Sequence, residues 1–98
     1  MLSNVIKDIR QFNDDRNWGK DHTPKNLATS VLIEAAELVE CFQWLTPEES
    51  YKVGNSVEVN DEVADVLIYL LNLCDKLNIY PEVAIRHKLL KNASKYPA

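Results

Sequence analysis

The chain has 98 residues, 46% apolar and 27% charged, the balance of a soluble globular domain and too apolar for a disordered one. So short a length leaves room for one domain over residues 1–98 with a limited core, which makes self-association an expectation from the start. A net charge of −4 excludes a protein that grips nucleic-acid polymers through a basic surface, and any phosphate bound here needs help from a cation.

The amphipathic start "MLSNVIKDIRQF" lacks the long apolar stretch of a secretory signal, so a cytoplasmic location is the default expectation. Ser3 is placed to cap a first helix from about residue 4 to residue 16, with Val5, Ile6, Ile9 and Phe12 on its apolar stripe. "RNWGKDHTP" breaks that pattern, and Thr23-Pro24 reads as an N-cap followed by a first helical residue. A second helix is predicted from residue 24 to about residue 45. Thr46-Pro47-Glu48-Glu49 then opens a short helical turn that Gly54-Asn55 ends. Ser56 caps a third long helix reaching about residue 78, and Pro81 starts a fourth that ends before Pro97.

No strand-like alternation or internal repeat interrupts this order, so the predicted fold is all-α, a four-helix bundle. The most apolar run, "VADVLIYLLNLC", is too short to span a bilayer and carries an aspartate and an asparagine, so no membrane partner is expected. Cys41 and Cys74 lie in apolar helical patterns without CxxC spacing and read as reduced core residues.

Within the second helix, at about 100° per residue, Glu34 and Glu37 fall on one stripe with Leu27, Leu38, Cys41 and Leu45, while Glu40 points to a more polar arc. The third long helix repeats the arrangement: Glu62 and Asp65 are three apart, and Glu62 shares its stripe with Val66, Tyr69 and Leu73. Val63, Leu67, Ile68, Leu70 and Leu71 make this helix apolar nearly all round, as in a central helix or one covered by a neighbouring subunit.

Clustered carboxylates in a dry site repel, and each costs several kcal/mol to bury as an anion, so they imply a cation. Neither segment places a lysine or arginine on the acidic stripe. Mg²⁺ takes a few carboxylates and keeps other positions for water or phosphate, which fits the quartet. A connection of about ten residues is short enough to bring the two pairs face to face as an antiparallel hairpin. A lone ExxE is ordinarily a solvated helix face, and it is the repetition of the pair inside two apolar stripes that points to a site. A di-iron bundle wants Glu-x-x-His repeats, and neither His22 nor His87 stands three residues after a glutamate.

"EAAE" followed after 24 residues by "EVAD" resembles the ExxE…ExxD signature of the MazG-like, all-α nucleotide pyrophosphohydrolases. "RNWGKDHTPKNLA", "ECFQW", "DVLIYLL" and "KNASKYP" extend the resemblance over nearly the whole chain, toward the compact dCTP pyrophosphatase group, with a shorter loop between the acidic helices. The resemblance implies that Glu34, Glu37, Glu62 and Asp65 bind Mg²⁺, and that a nucleoside triphosphate is cut between its α and β phosphates in a homodimer or homotetramer. It implies a role in clearing surplus or non-standard deoxynucleotides. Glu37, at the edge of the acidic stripe, is the candidate general base.

Trp18, Trp44 and Tyr69 are candidates to stack on a base, with plain core or interface packing as the alternative for Trp44 and Tyr69. His22 and Lys25 flank a helix N-terminus, where a phosphate or base edge can be met, or simply belong to a polar surface loop. Asn92, Lys95 and Tyr96 lie near one stripe of the last helix, and the resemblance places that segment near the triphosphate. Two rivals stand beside this reading. One is a non-enzymatic helical oligomerisation or regulatory module; the other is a pyrophosphohydrolase of another phosphorylated metabolite.

Overall fold

The structure is a computed structural model and describes residues 2–98. Its helices are α1 (Leu2–Asp15), α2 (Pro24–Glu40), α3 (Pro47–Val53), α4 (Val57–Leu77) and α5 (Pro81–Lys95), with a single 3-10 turn at Gly19–Asp21. No strand occurs among the described residues. None of the described helices is long and apolar enough to cross a membrane.

Side chains set the helix starts. Thr23 Oγ1 accepts from the Asn26 amide at 3.2 Å, with Pro24 at the first helical position. Ser56 Oγ accepts from the Val59 amide at 3.3 Å. Thr46 and Glu49 form a reciprocal capping box, each side chain accepting from the other's amide at 3.1 and 2.9 Å. That box is strong enough to turn the expected helical turn into a helix of its own, so the described residues hold five helices and not four. α3 ends at Gly54, where a Cβ would stand 2.8 Å from the Tyr51 carbonyl oxygen, so only glycine fits without a shift.

Two boundaries differ from the prediction. α1 already begins at Leu2, leaving Ser3 inside the first turn, because Leu2 extends the half-buried stripe of Ile6 and Ile9. α2 stops at Glu40 rather than at residue 45. The amides of Cys41, Phe42 and Leu45 donate to carbonyls three residues back, and Thr46 must be extended (φ −72°, ψ 163°) because proline follows it.

Helix ends are set by two asparagines. Asn17 and Asn78 have φ of 54° and 55°, and each reverses the chain in a Schellman motif: Trp18 N–H donates to Asn13 O, and Ile79 N–H to Cys74 O.

α2 and α4 pack as an antiparallel pair, the start of one beside the end of the other, and enclose Leu27 and Leu71, the two buried apolar side chains among the described residues. α1 crosses α4, tied by a bidentate ion pair in which Arg10 Nε and an Arg10 terminal nitrogen donate to Asp75 at 3.0 and 2.6 Å. Arg10 thereby holds the Asp75 carboxyl below the usual carboxylate range. Cys41 and Cys74 are free, half-buried thiols.

The folded chain is open. Its radius of gyration is 16.0 Å, against about 13 Å for a compact domain of this length. Its accessible surface of 7807 Å² exceeds by roughly 2,000 Å² what a compact protein of its mass exposes. Apolar side chains supply much of that surface: Leu32 on α2, Leu67 and Leu70 on α4, Leu89 and Leu90 on α5 are all exposed.

Candidate active site

The antiparallel pairing brings the two acidic pairs together. One carboxylate oxygen from each of Glu34, Glu37, Glu62 and Asp65 lies within 4.8 Å of the other three. Spacing of three residues puts both members of each pair on one helix face, and the packing of α2 on α4 turns the two faces toward each other.

The electrostatics are those of a site built for positive charge. A hydrogen bond shared with Glu37 pushes the Glu34 carboxyl up to about 7, with burial and the charges of Glu37, Asp65 and Glu62 adding to it. Glu62 is raised first by burial and then by the charges of Glu37, Asp65, Asp61 and Glu40. Glu34 Oε2 and Glu62 Oε2 are buried with no hydrogen-bond partner among the described residues. Oxygen atoms left without a donor, four acids together and no lysine or arginine in ion-pair reach among the described residues fit a hard divalent cation.

Two clefts meet at this cluster. On one side, Glu37 and Glu62 share an acidic cleft with Glu40 and Glu58, against Cys41, Val53, Ser56 and Val59. On the other, Asp65 forms part of the wall of a largely apolar cleft of about 490 Å³, a volume in the range of small-ligand sites. Val5, Ile9 and Phe12 of α1, Trp18 and His22 of the connection, and Ile68, Tyr69 and Asn72 of α4 line it.

The Schellman turn at Asn17 brings Trp18 back over α1, its ring edge-on to Phe12 with centroids 5.6 Å apart. Trp18 meets the His22 ring at 6.3 Å, and His22 meets Tyr69 at 6.5 Å, so four rings run in series across the cleft. Lys76 donates from Nζ to the Gly19 carbonyl at 3.2 Å, pinning the 3-10 turn between Trp18 and His22 to α4.

Residues 29–98 match the MazG-like family. The chain belongs to the MazG-like family. Among its relatives, human (Homo sapiens) dCTP pyrophosphatase 1 is 35% identical over 102 residues, covering 96% of this chain and 60% of that protein. dCTP pyrophosphatase 1 of Bos taurus is 31% identical over 101 residues, covering 95% of this chain and 60% of that protein. The chain therefore spans about 60% of the length of these curated relatives. A crystal structure of a pyrophosphatase from Archaeoglobus fulgidus DSM 4304 superposes with a TM-score of 0.94 at 48% identity, covering 99% of this chain and 93% of that one.

In this MazG-like chain Trp18, His22 and Tyr69 share the aromatic cleft, whereas Lys25, Trp44, Asn92, Lys95 and Tyr96 line neither cleft. Lys25 is exposed in the first turn of α2. Trp44 is 86% exposed, since α2 ends before reaching it. Asn92 is half-buried on α5, and Lys95 lies with its ammonium 5.3 Å from the Tyr96 ring centre at the end of that helix. Sequence reasoning missed Phe12, taken only as a stripe residue, together with Asn13 and Asn72, the two buried polar side chains among the described residues. Asn72 did leave a signal: an amide inside the apolar run "YLLNLC" needs a partner.

Proposed function

We propose that this chain is a Mg²⁺-dependent nucleoside triphosphate pyrophosphohydrolase. The observation that carries the reading is the convergence of four acids, two with buried and partnerless oxygens, at the rim of an aromatic cleft. Membership of the MazG-like family and the dCTP pyrophosphatase relatives support it.

Glu34, Glu37, Glu62 and Asp65 would hold the cation, which when bound neutralises phosphate charge and makes water easier to deprotonate. Trp18 and Tyr69 hold the base at a distance from the acids that leaves the triphosphate facing them. Glu37, which also lines the solvent-facing acidic cleft, takes the proton from the attacking water. Water adds across the link between the α and β phosphates, that link breaks, and the products are the nucleoside monophosphate and pyrophosphate. The apolar walls exclude water and strengthen each of these charge interactions. The role is removal of dCTP-like or modified deoxynucleotides from the pool, in the cytoplasm.

The working form is a homodimer or homotetramer. Obligate interfaces bury 2,000 Å² or more in total, and the roughly 2,000 Å² of excess surface on each protomer meets that need. Association would also give α5 a surface to pack on and offers Asn92, Lys95, Tyr96 and Trp44 a route to a neighbouring cleft. Lys25 stays the phosphate-facing candidate of the α2 N-terminus. A module that only mediates interactions leaves the two partnerless carboxylate oxygens without a counter-charge, which disfavours it.

The deciding experiment is pyrophosphate release from a panel of canonical and modified deoxynucleoside triphosphates, with Mg²⁺ and with chelator. Release that needs the metal and varies with the base is expected. No release from any member of the panel would overturn the assignment.

A further inference from the structure

Asn72 sits in the most apolar stretch of α4 and is 5% exposed. An amide buried there must find a hydrogen-bond partner, and it finds one 50 residues away: its Nδ2 lies 3.0 Å from Nδ1 of His22. The amide nitrogen is a donor only. Nδ1 of His22 therefore presents its lone pair, and a neutral ring accepting there carries its proton on Nε2. No other side chain among the described residues hydrogen-bonds the ring, while Trp18 and Tyr69 pack on it edge-on at 6.3 and 6.5 Å. Both His22 and Asn72 form part of the wall of the aromatic cleft.

We infer that Asn72 is a positioning residue that locks His22 as its Nε2–H tautomer, so that the cleft presents a hydrogen-bond donor to an acceptor atom of the bound heterocycle. A carbonyl oxygen or an unprotonated ring nitrogen satisfies it. A base turning an N–H or exocyclic amine to the same place leaves two donors facing each other in a water-poor cleft and is discriminated against. The inference about the ligand rests on reading the cleft as the base site, whereas the tautomer does not.

Long-range ¹H–¹⁵N spectra of the histidine rings test it, because protonated and bare ring nitrogens resonate far apart. The chain has two histidines, so the spectrum is recorded in a His87→Gln background to leave His22 alone. The expected spectrum of the neutral ring has Nε2 protonated and Nδ1 bare, with the Nε2 signal moving on titration with dCMP. Asn72→Asp, equal in volume but an acceptor, should move the ring proton to Nδ1. It should also weaken dCMP binding about tenfold, the loss expected for one hydrogen bond, and raise KM with little change in kcat.

A neutral ring with its proton on Nδ1 in the parent overturns the inference. So does dCMP affinity left unchanged by both Asn72→Asp and His22→Phe. Should the Asn72 variant not fold, the parent spectrum and His22→Phe still decide. Should no triphosphate be hydrolysed, the function fails while the tautomer is still read directly.

Discussion

α4, capped by Ser56, and α5, opened by Pro81 at its first position, both carry leucine, isoleucine and valine, yet they meet different surroundings. α4 is held between α2 and α1, and its polar residues Glu62, Asp65 and Asn72 all turn to clefts, the two acids beside Glu34 and Glu37 and the amide against His22. Along α5 only Pro81 and Asn92 are even half-buried, while Leu90 is 72% exposed. The difference teaches that a helix-forming, apolar sequence does not by itself secure packing: α4 is held on two sides although Leu67 and Leu70 stay exposed, whereas α5 is left uncovered along nearly its whole length.

The largest expected effect lies on the α4 side. Glu62→Gln keeps the shape of the cluster but removes a buried anion, and pyrophosphate release should fall by more than about 100-fold, since even outer-shell changes at metal sites cost 10–100-fold. Retained turnover would remove Glu62 from the machinery and leave α4 with no functional advantage over α5.

A comparable effect, read in assembly and not in chemistry, is expected on the α5 side. Leu89→Asp with Leu90→Asp should raise the dissociation constant of the proposed oligomer by about 100-fold or more in sedimentation equilibrium, because each leucine would give up about 1.5–3 kcal/mol of burial. If the oligomer is undisturbed, α5 is not its interface.

Trp18→Ala is smaller. Losing one stacking partner should raise KM roughly tenfold and leave kcat nearly unchanged. A fall in kcat alone would place Trp18 closer to the acids than its ring contacts do.

The smallest effect is a pH dependence. Without metal, the folded protein holds Glu34 protonated up to about 7, whereas the unfolded chain releases that proton near the ordinary glutamate value. The folded state thus binds more protons, so this stabilisation is complete in acid and is lost as pH rises through about 7. If Mg²⁺ takes the place of the proton, as proposed, the rise in thermal midpoint on adding Mg²⁺ should be larger at about pH 8 than at about pH 6. An equal rise at both would separate Glu34 from the cation.

Helix starts were legible because their signals are local. Thr23-Pro24, Thr46-Pro47 and Ser56 each cap the helix that follows them, through hydrogen bonds spanning three residues. Two helix ends were legible as well: those expected near residues 16 and 78 fall at Asp15 and Leu77, with the left-handed asparagines Asn17 and Asn78 just beyond them. The end of α2 at Glu40 depends on a tightened last turn and on Pro47 seven residues later, which the apolar pattern through Leu45 concealed. At the candidate site, the acids were readable from spacing, while Phe12 and Asn13 were not, since nothing local tells a stripe residue that it will face a cleft.

By itself the sequence determined the helices, the pairing of acids three apart on one face, and the need for a cation that comes with acids set among apolar neighbours. The short connection already implied that the two acidic faces meet, but tertiary structure alone decided how closely they do, that Trp18 folds back beside Phe12, and that Asn72 reaches His22. The physical reason is range. Helix periodicity and caps act over three or four residues, but those contacts depend on the antiparallel packing of α2 on α4 and on one left-handed residue that redirects the chain between α1 and α2.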